Sequence, residues 1–212
     1  MKTFAISEKA VTAPLLGLLL SIVGTSAAHA QTFTVLYTFA GYANGAGPNA
    51  GVISDSEGNL YGTTYTGGSP TDCCGVVYKL DTSARETMLY NFTGYADGSL
   101  PYAGVIRDSV GNLYGTTLVG GTSNKGVVYK VNMIGKETVL YNFTGGSDGG
   151  SPYVSLMLDK KGNFYGTTVQ GGDLNCNGGY GCGVVFELDT TGTKLCCTGS
   201  QGRPTERSLT QV

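Results

Sequence analysis

The sequence predicts an all-β fold, a β-propeller-like array of about three four-stranded blades that is incomplete as a ring. Three observations lead to this prediction. The same heptapeptide pattern begins at Gly58, Gly111 and Gly162, at intervals of 53 and 51 residues. Each repeat holds short runs of β-branched and aromatic residues bounded by Gly, Asn and Asp, which is the composition of strands. No segment after residue 30 keeps the 3.6-residue hydrophobic period of a helix.

The composition fits a turn-dense β protein and excludes several function classes. Glycine contributes 35 of 212 residues, about 17%, against an average near 7%. The hydrophobic fraction of 41% is too high for a disordered chain. The formal net charge is −2, so the basic excess that nucleic-acid binding needs is missing. We therefore expect no nucleic-acid partner.

Residues 1–30 have the pattern of a signal peptide. Lys2 and Lys9 precede an apolar run at 10–23, and Ala28 and Ala30 form a small-residue cleavage site. The apolar run of about 14 residues is shorter than the ~20 that span a bilayer, although a retained anchor is the alternative. We expect a secreted protein, located outside the cell, on its surface or in the periplasm, with no membrane span after cleavage.

The only histidine, His29, lies within this leader. The exported chain from residue 31 onward would contain no imidazole. A Ser-His-Asp triad and a histidine-ligated zinc site are therefore not expected.

The tandem-repeat domain is predicted to span residues 31–194. A lone strand at 33–39 precedes repeats at about 48–100, 101–151 and 152–194. In the second repeat the four strands are predicted at 102–107, 113–118, 127–131 and 137–143. Four antiparallel strands in about 50 residues are typical of a propeller blade. Another repetitive β array is the alternative. Repeated Tyr and Phe positions are expected to fill the space between blades.

The turn between the first two strands of each repeat has the pattern Asp-x-x-Gly-Asn. The aspartate can accept backbone N–H groups and the glycine can adopt positive φ, which is the chemistry of a hairpin turn. We interpret these aspartates as turn formers rather than catalytic acids. The predicted turn residues are Asp55, Gly58, Asn59, Asp108, Gly111, Asn112, Asp159, Gly162 and Asn163.

Length differences between the repeats concentrate in one loop, between a Gly-Gly pair and Gly-Val-Val. This loop holds six residues at 69–74, four at 122–125 and ten at 173–182. Because loops on a rigid scaffold usually carry function, these are the predicted binding loops. The candidate binding residues are Ser69, Asp72, Thr122, Asn124, Asp173, Asn175 and Tyr180.

Cysteines in an exported chain are first interpreted as disulfides. Cys176 and Cys182 share one loop, which favours a local bridge between them. Cys73 and Cys74 are adjacent and could form a vicinal disulfide, stay free or reach another chain. Zinc is not expected because the spacing lacks paired CxxC motifs. Asp97-Gly98 and Asp148-Gly149 offer one carboxylate each, so they indicate turns rather than calcium loops. No metal and no cofactor are predicted.

The repeat pattern resembles a known family. It runs Asp-x-x-Gly-Asn-Leu-Tyr-Gly-Thr-Thr, Gly-Gly, Gly-Val-Val-Tyr-Lys-Leu, then Glu-Thr-x-Leu-Tyr-x-Phe-x-Gly, and it covers about residues 34–194 three times over. This is similar to the GloVer tandem repeat family. The resemblance implies an exported bacterial repeat protein, in some members with a C-terminal sorting anchor, and implies no catalytic residue.

The tail at 195–212 departs from the repeat. One codon choice from Lys194 onward, read in a shifted frame, encodes TVLYRFTGAADGAKPDAG, which continues the repeat pattern. We therefore predict a frameshifted, disordered tail in which Cys196 and Cys197 have no function. A native divergent tail is the alternative, and the downstream DNA sequence decides between them.

The predicted function is a non-enzymatic binding or structural role outside the cell. Its partner is left open, with an extracellular glycan or another protein as candidates. The alternative is a propeller-type enzyme acting on extracellular polysaccharide or a small molecule. Catalytic groups are usually single-copy departures from a repeat, and the charged departure here is Glu187, which replaces Lys79 and Lys130. A non-functional fragment of a longer gene is compatible with either.

Overall fold

The computed structural model describes residues 32–68 and 73–197, and the strands of this part lie in three antiparallel sheets. We call these sheets blades 1, 2 and 3. Blade 1 contains β1 (Ile53–Ser54), β2 (Leu60–Thr64), β3 (Val76–Leu80) and β4 (Glu86–Asn91). Blade 2 contains β5 (Ile106–Arg107), β6 (Leu113–Thr116), β7 (Val127–Val131) and β8 (Glu137–Asn142). Blade 3 contains β10 (Met157–Leu158), β11 (Phe164–Gln170), β12 (Val185–Leu188) and β13 (Lys194–Cys197), with β9 (Gly150–Pro152) paired to β11.

The predicted fold class is confirmed. In every blade the four strands pair in chain order, as in a meander. β9 is a longer version of a bridge that the other blades also have, between Ala46 and Thr66 and between Ser99 and Val119. Two short 3-10 turns, Tyr42–Asn44 and Asn177–Gly179, complete the regular structure, and no α-helix occurs within 32–68 or 73–197.

The third strand of blades 1 and 2 is buried on both faces. In β3 and β7, four of the five residues are buried, and only the lysine is partly exposed. A strand that is covered on both faces needs apolar residues at consecutive positions. This explains why the Val-Val-Tyr run does not alternate between apolar and polar residues, as a strand with one solvent-exposed face does.

Aromatic residues fill the space between the blades, as predicted. Phe92 at the end of blade 1 lies edge-to-face on Tyr129 of blade 2, with ring centroids 4.9 Å apart. Phe143 at the end of blade 2 contacts Phe186 of blade 3 in the same way, at 5.1 Å. Each blade is therefore held to the next by an equivalent pair of rings.

The Asp-x-x-Gly-Asn turns have one hydrogen-bond pattern in all three blades. In blade 2, Asp108 accepts the backbone N–H groups of Val110 and Asn112, and also the Asn112 side-chain amide and the Tyr114 hydroxyl. Gly111 has φ +98°, which favours glycine. Burial raises the pKa of Asp108, but the bonds from Asn112, Tyr114 and Val110 outweigh it and lower the pKa. The carboxylate is thus fully engaged in the turn.

The structure differs from the predicted strand at 33–39. Residues 32–40 pair with no strand, because the partner would be the third strand of a preceding blade and the described residues supply none. The aromatic contact is nevertheless in place, since the Phe39 ring lies 4.9 Å from the Tyr78 ring. The Phe39 ring thus contacts Tyr78 of blade 1 in the same edge-to-face geometry in which Phe92 contacts Tyr129 of blade 2.

The structure also differs from the predicted disorder at the start of the tail. Lys194–Cys197 form β13, the fourth strand of blade 3, and pair with β12. The open backbone edge of β12 provides the hydrogen-bonding groups for this pairing, whatever side chains follow. The predicted signal peptide at 1–30 and the tail at 198–212 lie outside the described residues.

Candidate binding site

The strand order places several repeat features at one end of each blade. The Asp-x-x-Gly-Asn turn joins the first two strands, so the residues before the first strand and after the second lie at the opposite end of that hairpin. The variable loop follows the second strand and therefore lies at this end too. We call it the loop end. It is where the candidate site forms.

Three tyrosines from three blades form a row at the loop end. Tyr65 follows β2, whereas Tyr102 precedes β5 and Tyr153 precedes β10. The Tyr65 and Tyr102 rings stack with centroids 4.8 Å apart and planes at 26°. The Tyr102 and Tyr153 rings stack at 4.9 Å and 25°. We call these three residues the tyrosine row.

The tyrosine row is partly buried at its Tyr65 end and exposed to solvent at its Tyr153 end. Tyr65 and Tyr102 are half-buried, while Tyr153 keeps 44% of its surface exposed. Stacked aromatic pairs contribute about 0.5–1.5 kcal/mol beyond their buried area, so the three rings fix each other's orientation. An exposed aromatic surface that is already ordered loses little conformational entropy when a ligand binds.

The backbone beneath the row is held in an unfavourable conformation. The residue before the repeat proline has positive φ in all three blades, at Gly47 (+66°), Leu100 (+58°) and Ser151 (+53°). For a residue with a side chain, this left-handed conformation costs about 1–2 kcal/mol. Such strain persists only where surrounding contacts impose it, and it concentrates at functional sites.

Hydrogen bonds to Leu100 impose this conformation and direct Tyr102. The Leu100 N–H donates to the Cys74 carbonyl at 3.0 Å, and the Leu100 carbonyl accepts the N–H groups of Tyr102 and Leu118 at 2.8 and 3.0 Å. In the next blade, Ser151 N–H donates to the Lys125 carbonyl at 2.8 Å. The variable loops are therefore tied to the backbone that carries the row.

Gly47 makes room for the first ring of the row. A Cβ atom on Gly47 would overlap the Tyr65 ring. The equivalent positions, Leu100 and Ser151, carry side chains, and the residues equivalent to Tyr65 are Leu118 and Val169. In blade 1, therefore, the absence of a side chain at Gly47 leaves space for the Tyr65 ring at the end of β2.

The predicted disulfide candidates lie at the base of two variable loops. The Cα atoms of Cys176 and Cys182 are 5.7 Å apart, within the usual range for a disulfide, and their sulfurs are at bonding distance. Cys73 and Cys74 are also at bonding distance, with Cα atoms 3.6 Å apart. Cys74 is 3% exposed and packs beneath blade 2 with Phe92 and Val105. The Cys176–Cys182 pair is the pairing predicted from the sequence, and the Cys73–Cys74 pair is one of the three alternatives that the sequence left open.

The other predicted binding residues lie in loops that are ordered by their own hydrogen bonds. Asn124 accepts the Gly120 N–H, and the Thr122 N–H donates to Asn142. Asp173 accepts both the backbone and the side-chain N–H groups of Asn175. Tyr180 is 63% exposed. Ser69 and Asp72 lie outside the described residues.

Glu137, at the start of β8, is a titratable group that the sequence analysis did not single out. Burial, and then the charge of Asp97, raise its pKa to about 7. Glu86 is equivalent to it in blade 1, and burial also raises the Glu86 pKa against hydrogen bonds from Asn44 and Tyr37. Glutamate occupies the same repeat position in two blades, and burial raises its pKa in both. We therefore assign this carboxyl a role in the packing of the blades rather than in a functional site.

The remaining acidic residues are engaged in turns or in contacts with tyrosine. Asp97 accepts the Tyr90 hydroxyl and the Thr93 N–H, and Asp148 does the same with Tyr141 and Thr144. Glu187 accepts the Tyr165 hydroxyl at 2.8 Å. Among residues 32–68 and 73–197, no three His, Cys, Asp or Glu side chains form a cluster that could hold a metal ion. In the same segments, no helix has the length and apolar character needed to cross a membrane.

These features define a propeller-like repeat protein with an aromatic row at its loop end. The chain belongs to the family described as the Gloeobacter/Verrucomicrobia repeat, whose model matches residues 22–177 and 71–211 with overlap. This confirms the resemblance that the repeat pattern indicated. No curated protein matches the chain.

Solved structures that resemble the chain include the following two. One is a luciferin-regenerating enzyme, with 14% identity, a TM-score of 0.42, and coverage of 70% of this chain and 45% of that one. Another is a protein assigned as a gluconolactonase, with 17% identity, a TM-score of 0.40, and coverage of 68% and 45%. The chain spans less than half the length of both.

Proposed function

We propose that the chain is an exported, non-enzymatic binding protein that holds an extracellular glycan on its tyrosine row. The observation that carries this proposal is the stacked, partly exposed row of Tyr65, Tyr102 and Tyr153 across three blades. Sugar rings present C–H groups that pack on aromatic faces, and tyrosine hydroxyls can exchange hydrogen bonds with sugar hydroxyls. The strained backbone at Leu100 and Ser151 supports the assignment of a site there.

The open face of the row lies at Tyr153. One face of its ring is covered by Tyr102, and 44% of the residue remains exposed. A pyranose ring placed on the uncovered face would extend the stack by one layer. The variable loops at 122–125 and 173–182 flank this end and would contact neighbouring sugar units.

Export is supported by the leader pattern at 1–30 and by two cysteine pairs at disulfide distance, which are typical of an oxidising compartment. The absence of turnover is supported by the engagement of the three repeat aspartates, Asp55, Asp108 and Asp159, in turns. A glycan ligand is favoured over a protein partner because the exposed part of the row is the face of a single ring, Tyr153, which matches one sugar ring.

The test is a glycan-binding screen followed by calorimetry with three proteins. We expect wild type to bind at least one oligosaccharide, and Tyr153→Ala to weaken that binding about tenfold, as loss of an aromatic hot spot would. Tyr95→Ala is the control, because Tyr95 is 79% exposed and lies outside the row. Equal losses in both variants, or release of product from any glycan of the panel, would contradict the proposal.

A further inference from the structure

Lys125 is the one cationic side chain at the loop end among the residues that the structure describes. It is the last residue of the variable loop at 122–125, whereas Cys74 and Cys182 occupy this position in the other two repeats. Every other lysine and arginine within 32–68 and 73–197 lies within two residues of a turn at the opposite end of the blades. The loop end therefore carries a positive charge in blade 2 only.

The backbone of Lys125 lies directly beside the tyrosine row. Its carbonyl accepts the Ser151 N–H at 2.8 Å, and Ser151 is two residues before Tyr153. At the next residue, a Cβ atom on Gly126 would lie 2.9 Å from the Pro152 ring. The base of this loop thus packs against the two residues that precede Tyr153, which is the exposed end of the row.

The side chain of Lys125 is held in place by its surroundings. The residue is half-buried, and its stem lies against Gly145, where a Cβ atom would be 2.9 Å from the Lys125 Cε. The Lys125 Nζ donates to the Gln170 Oε1 at 3.1 Å. Gln170 in turn pairs with Gly150, three residues before Tyr153. These contacts fix the ammonium group beside the row without a ligand.

The charge of this ammonium group has no carboxylate partner within 32–68 and 73–197. Gln170 is a neutral acceptor, and an ammonium group has three N–H donors, so two remain for a ligand. The carboxylates of Asp97 and Asp148, at the same end of the blades, each accept a tyrosine hydroxyl and a threonine N–H. An ordered, half-buried cation with free donors favours an anionic ligand group.

We propose that the glycan on the tyrosine row is an acidic one, and that Lys125 pairs with its carboxylate or sulfate group. This inference rests on the proposed function and adds the class of sugar to it. One sugar unit stacks on Tyr153, and the anionic group of that unit or of the next one accepts N–H groups from Lys125. A hydrogen bond between two charged groups is about twice as strong as a neutral one, so the ammonium group selects the charged sugar over its neutral form.

The test is calorimetry at low salt with oligosaccharides in matched charged and neutral pairs. The pairs are oligogalacturonate and its methyl ester, oligomannuronate and its methyl ester, and a sulfated oligogalactan and its desulfated form. We expect wild type to bind the charged member of at least one pair about tenfold more tightly than the neutral member, a difference of about 1.4 kcal/mol. The pair that shows this preference identifies the anionic group.

Two substitutions at Lys125 separate its charge from its stem. Lys125→Met keeps the apolar stem and removes the charge, so the preference should disappear while binding of the neutral member stays unchanged. Lys125→Arg keeps the charge and should keep most of the preference. Higher salt should weaken the binding of the charged member only, because added ions screen the pair.

Lys136→Met is the matched control for the loss of one positive charge. Lys136 is exposed in the turn between β7 and β8, at the opposite end of the blades, and its variant should keep the wild-type preference. Equal binding of the charged and neutral members, or equal losses in Lys125→Met and Lys136→Met, would overturn the inference and leave the proposed function intact. Binding of a neutral glycan in the screen but of no charged member would do the same, whereas a protein that binds no glycan would overturn both.

Discussion

Phe92 gives the sharpest test of how the blades are held together. The side chain is 0% exposed, and its ring contacts Tyr90 within blade 1 and Tyr129 across the blade contact, with centroids 5.1 and 4.9 Å away. Truncation of a buried Phe to Ala costs about 3–5 kcal/mol, a range that includes edge-to-face contacts of about 0.5–1.5 kcal/mol each. We expect Phe92→Ala to lower the free energy of unfolding by about 4 kcal/mol.

This loss is a large part of the total stability of a domain, which is about 5–15 kcal/mol. The assay is guanidinium unfolding followed by far-UV circular dichroism, with Phe39→Ala as the comparison. Phe39 makes the same type of contact with Tyr78 but is only half-buried and lies in a segment without strand pairing, so we expect about half the loss. If Phe92→Ala cost less than about 1 kcal/mol, or no more than Phe39→Ala, the blade contacts would not be what stabilises the fold.

Three further predictions concern a turn, a buried carboxyl and a loop. Asp108→Ala should cost about 1–3 kcal/mol in the same unfolding assay, because four donors lose their acceptor, while Asp173→Ala in an exposed loop should be nearly neutral. The pKa of Glu137 is about 7 in the folded chain and about 4.3 in the unfolded chain, so its contribution to the free energy of unfolding is full below pH 4 and declines as the pH rises to 7. Glu137→Gln should remove this decline and raise the free energy of unfolding at pH 8 by on the order of 1 kcal/mol, after allowance for solvent screening. A variant with the wild-type pH profile of stability would contradict the assignment. Cys176→Ser should open the loop at 173–182 to proteolysis and cost about 2 kcal/mol, and peptide mass mapping of the intact protein should find Cys176 linked to Cys182; cleavage of this loop at the wild-type rate would contradict the bridge.

The blades were predictable from the sequence because their signals are local and occur three times. The turn pattern of Asp108, Gly111 and Asn112 specifies a hairpin through bonds that span four residues or fewer. The Val-Val-Tyr or Val-Val-Phe run of the third strand follows in every repeat, after the Gly-Gly pair and the loop of variable length. Consistency between turn chemistry, strand composition and repeat length left few alternative folds.

The tyrosine row was not predictable in the same way. Tyr102 and Tyr153 occupy the same repeat position, which was a visible signal. Tyr65 comes from a different position, at the end of a second strand, and only the packing of blade 2 on blade 1 brings it onto Tyr102. Sequence reasoning therefore placed the site in the variable loops, whereas the structure offers an ordered aromatic surface beside them.

The ends of the array were the least predictable part. A run such as that at 33–39 has the composition of a strand, but strand formation also requires a partner edge. β13 illustrates the opposite case. Its sequence does not follow the repeat pattern, yet it pairs with the free edge of β12. The raised pKa of Glu137 likewise depends on burial between blades, which composition does not reveal.

Hydrogen exchange with and without the best glycan of the screen shows where the ligand lies on the protein. A ligand held on the tyrosine row, at the loop end of the blades, should give new protection in peptides that contain Tyr102 and Tyr153. It should give none in the opposite turns at 81–85 and 108–112. Protection confined to those turns, or spread evenly over the three blades, would contradict this placement.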